Sequence, residues 1–224
     1  MIELVCCDMA GTTVSDGGLV LESFQRTLTS LNLDDDEAAH AQKFVIKTMG
    51  QSKIQVFRTL FADRAAEANS LFEAHFIDTV HERGVREVPG AFDAFVELQN
   101  AGVVVALTTG FSPATRELLV ERLGWADVVA VRVSPGDTDT GRGRPDPDML
   151  WLCAKRARVT SMSHVVVVGD TASDMEAGLR AGAGRRIGVL TGTDDYDRLL
   201  HHGADVVLDS VSQLFGAVVT PGSF

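Results

Sequence analysis

The chain predicts an α/β fold, a Rossmann-like doubly wound and mainly parallel sheet with a helical module inserted after its first strand, on three observations. Near the N-terminus, Leu4, Val5, Cys6 and Cys7 form a short continuous apolar run, the pattern of a strand buried on both faces. From Pro89 onward, β-branched runs alternate with amphipathic stretches, as in βαβ units whose right-handed crossovers put helices on both faces of a sheet. Between these regions, from Ser15 to about Arg86, strand-like runs are almost lacking and apolar residues recur at helical spacing. Residues 1–14 and 87–224 are therefore expected to form the core, and 15–86 an inserted α-helical cap domain.

Taken in order, the insert shows helical sets in Leu21, Phe24 and Leu28, in Ile54, Phe57, Leu60 and Phe61, and in Leu71, Phe72, Phe76 and Val80. Gly17, Gly18 and Gly84, with Pro89 and Gly90, mark linker positions. The run Asp34, Asp35, Asp36 and Glu37 precedes an apolar-periodic stretch and reads as the capped, charged start of a helix in preference to a metal cluster. In the core, helices are expected over 91–100, 113–123, 146–158 and 172–181, and strands over 103–108, 128–133, 165–168, 186–190 and 206–208. The insert would then hang over the C-terminal edge of the sheet.

A formal net charge of −11 offers no basic footprint for nucleic acid or for an anionic membrane. Neither a leader pattern nor an apolar run of membrane-spanning length is present, and the three cysteines, two of them adjacent in a strand and so facing opposite ways, form no disulfide framework. A reducing, cytoplasmic setting is expected. The apolar stretch at 71–80 makes a homodimer a candidate assembly.

The chemistry gathers at strand ends. Asp8 follows the first apolar run, where open α/β sheets bind ligands, and a carboxylate there can attack phosphorus and carry a phosphoryl group, or simply cap the loop. Gly11 allows close backbone approach, and Thr12 and Thr13 bring hydroxyls. Thr108, Thr109 and Gly110 end another strand before a helix with Pro113 in its first turn, a phosphate-binding arrangement. Arg144, in the Gly-rich loop 141–145, supplies a cation suited to a multi-oxygen anion. Asp170 and Asp174 follow a third strand and sit one helical turn apart, as an octahedral Mg²⁺ site requires. Gly192 to Asp195 could line the far side of the same edge, with no chemistry assigned.

The succession Asp8-x-Ala10-Gly11-Thr12, Thr108-Thr109-Gly110, Arg144-Pro145 and Gly169-Asp170-Thr171-x-Ser173-Asp174 resembles the haloacid dehalogenase superfamily across nearly the whole chain. That superfamily usually places a second Asp two residues after the nucleophile to handle the leaving group's proton; Ala10 stands there instead. The departure, together with the run Met49-Gly50-Gln51-Ser52-Lys53-Ile54, resembles the phosphonoacetaldehyde hydrolases, or phosphonatases. From spacing alone Lys53 reads as a solvated lysine on a cap helix; the resemblance makes it the amine that forms a Schiff base with the substrate aldehyde.

The same resemblance implies Asp8 as nucleophile, Arg144 balancing charge, and Mg²⁺ held by Asp8, the Ala10 carbonyl and Asp170 with Asp174 in support. It also implies a phosphonate or phosphate substrate against Ala10, Gly11, Thr12, Thr108, Thr109, Gly110 and Met49. Three positions depart from that branch: Val56 replaces a His, Phe111 a Tyr and Gly18 a Cys. These losses keep open the alternative of a Mg²⁺-dependent phosphatase of a small phosphorylated metabolite.

Overall fold

The computed structural model describes residues 1–219. In chain order its elements are β1 (Leu4–Asp8), β2 (Val14–Ser15), α1 (Leu19–Ser30), α2 (Asp35–Lys47), α3 (Lys53–Phe61), α4 (Ala65–Arg83), β3 (Arg86–Glu87), α5 (Ala91–Asn100), β4 (Val104–Thr108), α6 (Pro113–Leu123) and β5 (Val131–Val133). There follow α7 (Asp148–Ala157), β6 (Val165–Gly169), α8 (Ala172–Ala181), β7 (Arg185–Val189), α9 (Tyr196–His201), β8 (Val206–Leu208) and α10 (Leu214–Val219).

Six strands form one sheet in the order β5-β4-β1-β6-β7-β8, and every neighbouring pair is parallel. Alternate residues of the central strands feed opposite cores: Val5, Cys7, Leu107 and Val168 pack on one face, Leu4, Cys6, Ala106 and Val167 on the other. This is the doubly wound α/β arrangement. Cys6 and Cys7 point to opposite faces, and all the cysteines are free.

The helices α1 to α4 lie between two short strands that pair with each other, Val14 opposite Glu87 and Ser15 opposite Arg86, so the chain leaves and re-enters the core along one antiparallel ribbon. Their core is aromatic. Phe24 meets Phe57 at 5.3 Å and Phe72 at 4.5 Å between ring centroids, and Phe76 meets Phe111 of the sheet unit at 4.4 Å, so the insert and one face of the sheet share a single hydrophobic cluster.

The acidic run is a helix start, as read: Asp34 Oδ1 accepts from Glu37 N at 2.8 Å and Glu37 Oε2 accepts from Asp34 N at 3.3 Å, a reciprocal capping box. Of the apolar stretch at 71–80, Phe72, Phe76 and Val80 are buried inside the chain and Leu71 and Ile77 are half-buried.

Two expected boundaries move by more than one residue. The strand expected over 128–133 starts at Val131, because Val128 N and Val129 N both bond to Trp125 O and hold the apolar residues before it in a turn. The helix expected from 146 starts at Asp148, with Pro147 at its N-cap. Among the described residues no helix is long and apolar enough to cross a membrane.

Candidate active site

The parallel register brings the motifs to one edge. Asp8 lies beside Thr108 across β1 and β4, and Cys7 beside Val168 across β1 and β6, so the turns after these three strands are neighbours. From β1 the chain winds outward to β4 and β5 on one side and to β6, β7 and β8 on the other, which leaves a crevice at the C-terminal end of β1. Asp8 sits in it.

Arg144, carried by the loop between β5 and α7, reaches into the crevice with Nη2 2.6 Å from Asp8 Oδ1 and Nη1 on Asp174 Oδ1. Asp174 is fixed further, its Oδ2 accepting from Thr171 N at 3.1 Å and Thr171 Oγ1 at 2.6 Å. Asp8, Arg144, Asp170 and Asp174 are all buried. The angle of the Arg144 contact leaves Asp8 Oδ1 without a formed hydrogen bond, and Arg144 Nε and Ser52 Oγ are likewise buried without a partner. Burial, against the pull of Arg144 and with repulsion from Asp174, pushes the Asp8 carboxyl up to about 6; burial and the charges of Asp8 and Asp174 push Asp170 up to about 8.

One carboxylate oxygen from each of Asp8, Asp170 and Asp174 lies within 4.8 Å of the others. Three acids crowded together, two of them forced toward protonation, are what a hard divalent cation relieves, and an all-oxygen donor set suits Mg²⁺. The residues fit the ion.

Lys53, from the start of α3, is buried and not solvated as its spacing alone would have it. Its N–H donates to Gly110 O at 3.3 Å, and its Nζ lies 5.7 Å from the centroid of the Phe24 ring and 5.6 Å from that of Phe111. Burial, then the charge of Arg144, hold the amine below the usual lysine range, outweighing Asp8, Asp16 and Glu73. Val56 and Phe111 are buried beside it as apolar surfaces, and Gly18 serves as the left-handed N-cap of α1.

Asp8, Ala10, Met49, Lys53, Thr109, Gly110, Arg144 and Asp170 line one cavity of ≈ 20 Å³. The loop before Lys53 is seated tightly: a Cβ on Gly50 would lie 2.3 Å from Thr171 Oγ1, and one on Gly110 2.7 Å from Gln51 O. Thr108 is buried at the end of β4. Gly11, at φ 91°, makes the turn after β1 and receives a 2.7 Å bond from Thr191 Oγ1 on its carbonyl. Thr12, expected among the substrate-binding residues, is bonded to the acidic cluster. Its hydroxyl donates to Asp170 Oδ1 at 2.7 Å and its N–H to Met9 O at 3.2 Å, so both donors are committed inside the protein. Thr13 likewise bonds to Asp8 O at 2.8 Å.

The loop after β7 has a function that sequence reading left unassigned. Thr193 N donates to Asp170 Oδ2 at 2.9 Å and Asp194 Oδ2 accepts from Ala172 N at 2.6 Å, so this loop orients the acidic cluster. A Cβ on Gly192 would lie 1.9 Å from Asp170 Oδ2. Gly192→Ala is therefore expected to displace Asp170 and weaken Mg²⁺ binding by about 10- to 100-fold, measured by calorimetric titration. Its only sequence signal is the succession Thr191-Gly192-Thr193-Asp194 directly behind a strand end.

The model of the haloacid dehalogenase-like hydrolases matches residues 2–182. Phosphonoacetaldehyde hydrolase of Bacillus cereus (strain AH187) is 29% identical over 221 residues, covering 87% of this chain and 78% of that protein. A bifunctional phosphonoacetaldehyde hydrolase/aminoethylphosphonate transaminase of Clostridioides difficile (strain 630) is 26% identical over 204 residues, 81% of this chain and 30% of that one. Among solved structures, a hydrolase from Pseudomonas syringae superposes with a TM-score of 0.82 at 20% identity, over 97% of this chain and 98% of its own. A phosphonoacetaldehyde hydrolase-like protein from Oleispira antarctica gives a TM-score of 0.78 at 22% identity, over 97% and 91%. The family match spans most of the chain, including the strand ends that carry Asp8, Thr108 and Asp170 and the loop that carries Arg144, and this chain belongs to the haloacid dehalogenase-like hydrolases.

Proposed function

We propose that this hydrolase cleaves the P–C bond of phosphonoacetaldehyde or a related phosphonate, with Asp8 as nucleophile and Lys53 as Schiff-base amine. The observation that carries the reading is the burial of Lys53, from the inserted helices, in the same cavity as Asp8 and Arg144. The 29% identical Bacillus cereus relative, named for this activity, supports it.

Lys53, held toward its neutral form, adds to the substrate aldehyde, and loss of water leaves an iminium between Nζ and the former carbonyl carbon. Asp8 then attacks phosphorus. The electron pair of the breaking P–C bond moves into the iminium, so the carbon fragment leaves as an enamine on Lys53 and the phosphoryl group is on Asp8. Water hydrolyses the aspartyl phosphate to phosphate; the enamine takes a proton on carbon, and hydrolysis of the resulting imine frees acetaldehyde and the amine. No proton is needed on the departing carbon during cleavage, which makes Ala10 tolerable where an acid otherwise stands.

Mg²⁺, held by Asp8, the Ala10 carbonyl and Asp170 with Asp174 in support, would offset the negative charge of the phosphoryl oxygens. Arg144 shares that role and keeps Asp8 aligned. Thr109, Gly110 and Met49 also line the cavity, where they would contact the substrate. A volume of ≈ 20 Å³ holds about one water, so substrate enters with the helical cap swung away on its ribbon and reacts once Lys53 returns.

Side-by-side assays of phosphonates and phosphate esters test the reading. Release of acetaldehyde and phosphate in equal amounts is expected from phosphonoacetaldehyde; turnover of p-nitrophenyl phosphate alone, surviving Lys53→Ala, favours a phosphatase. The apolar Val56 and Phe111 beside Lys53 are what keep this second reading alive.

Magnesium binding should also depend on pH in a definite sense. With Asp8 raised to about 6 and Asp170 to about 8 from 3.8, the metal-free fold keeps protons that the unfolded chain has lost. That stabilisation is complete below the unfolded value and is lost as pH rises through about 6 and about 8. Mg²⁺ replaces those protons, so the rise in Tm that it causes should be several degrees larger at about pH 8 than at about pH 5. Equal shifts at both pH values in a thermal scan would contradict this.

A further inference from the structure

Glu73 lies on α4 of the inserted helices, yet its carboxylate bonds to the first turn of α6 in the sheet unit. Ser112 N donates to its Oε1 at 3.0 Å and Ser112 Oγ to its Oε2 at 2.8 Å, and Thr115 Oγ1 also donates to Oε2. Ser112 is already the N-cap of α6, its Oγ accepting from Thr115 N at 3.2 Å. The cap is thus completed by an anion from another part of the chain, at the helix end where negative charge is favourable.

The residues flanking Glu73 act on the next position back. Phe72 and Phe76 meet the Phe111 ring at 6.2 and 4.4 Å, and Phe111 is one of the two rings beside Lys53 Nζ. Gly110, one residue earlier, accepts the Lys53 N–H. One turn of α4 therefore grips the segment 110–115 that positions the amine.

We propose that Glu73 is a positioning residue: its bonds to Ser112 and Thr115 latch the inserted helices closed on the sheet edge and so place Lys53 over Asp8. The latch stands on these contacts alone, and only its kinetic consequence rests on the phosphonatase reading. Opening the inserted helices breaks all of these bonds together, whereas a residue that merely packs α4 would leave segment 110–115 unaffected.

The test compares wild type, Glu73→Ala and Glu73→Gln as full chains without substrate by hydrogen–deuterium exchange. Exchange should rise about tenfold in Glu73→Ala for peptides over 49–61 and 108–116 together, with β6 and α8 unchanged, and Glu73→Gln should recover part of it, since its amide oxygen still accepts from Ser112 N. For phosphonoacetaldehyde, kcat/KM should fall about tenfold in Glu73→Ala and imine trapping at Lys53 by borohydride should slow in proportion.

Unchanged exchange in both peptides, or a uniform rise across the whole chain, overturns the latch. If Glu73→Ala does not fold, Glu73→Gln against wild type carries the same comparison. If wild type leaves phosphonoacetaldehyde intact while the two peptides still loosen together, the latch stands and the phosphonatase reading falls.

Discussion

Lys53→Ala is expected to reduce P–C cleavage of phosphonoacetaldehyde by at least about 10³-fold, because without the iminium the carbon fragment would have to leave as an anionic enolate, a poorer leaving group than the neutral enamine. Borohydride added with substrate should inactivate wild type and place a reduced adduct on Lys53, seen by peptide mass spectrometry, and should leave the variant unmodified. Full cleavage by Lys53→Ala would refute the imine mechanism. Lys53→Met separates chemistry from folding. It removes the buried amine beside Phe24 and Phe111 but keeps an apolar stem, so it should be as inactive as the alanine variant while its Tm is unchanged or higher. The pH profile follows from the depressed pKa: activity should rise as the amine loses its proton, with that limb below the ordinary lysine value of 10.5.

Arg144→Met carries the second large effect. It removes the cation paired with Asp8 and Asp174 and leaves three buried acids close to one another. Breaking a buried ion pair from one side costs about 3–5 kcal/mol, and urea unfolding in the absence of metal should show a loss of this order at about pH 8. The loss should shrink at about pH 5, where the abandoned carboxylates take up protons instead of carrying charge. Mg²⁺ should restore part of the stability without restoring activity, since the aligned contact to Asp8 is gone. Equal stability of variant and wild type at the higher pH would show that the pair is not holding the site together.

The parts of this site that are legible in the sequence are those the sheet itself places. The cores of β1, β4 and β6 are buried on both faces, so they read as apolar runs, and the residue that follows each run falls at the same edge by parallel register. Asp34 is legible too, because a capping box is local. What escapes is set by contacts between distant segments. Two-residue strands such as Val14–Ser15 and Arg86–Glu87 have no periodicity to read. The apolar Val128 and Val129 look like strand until the turn at Trp125 claims them. Thr12 faces Asp170, 158 residues away, and nothing near it in sequence says so. Glu73 is one acid among many on exposed helices until α6 arrives beside it.

The sheet order has a consequence for how the chain assembles. β1 precedes every other strand of its sheet in the chain yet sits inside it, pairing Leu4 with Val104 and with Val165. It must wait for partners synthesised long after it, whereas α1 to α4 find one another within 19–83. During vectorial synthesis the helical insert can therefore condense early, while the strand that ends in Asp8 remains an unpaired apolar segment until its partners have emerged. The inserted helices are ready before the sheet they pack against.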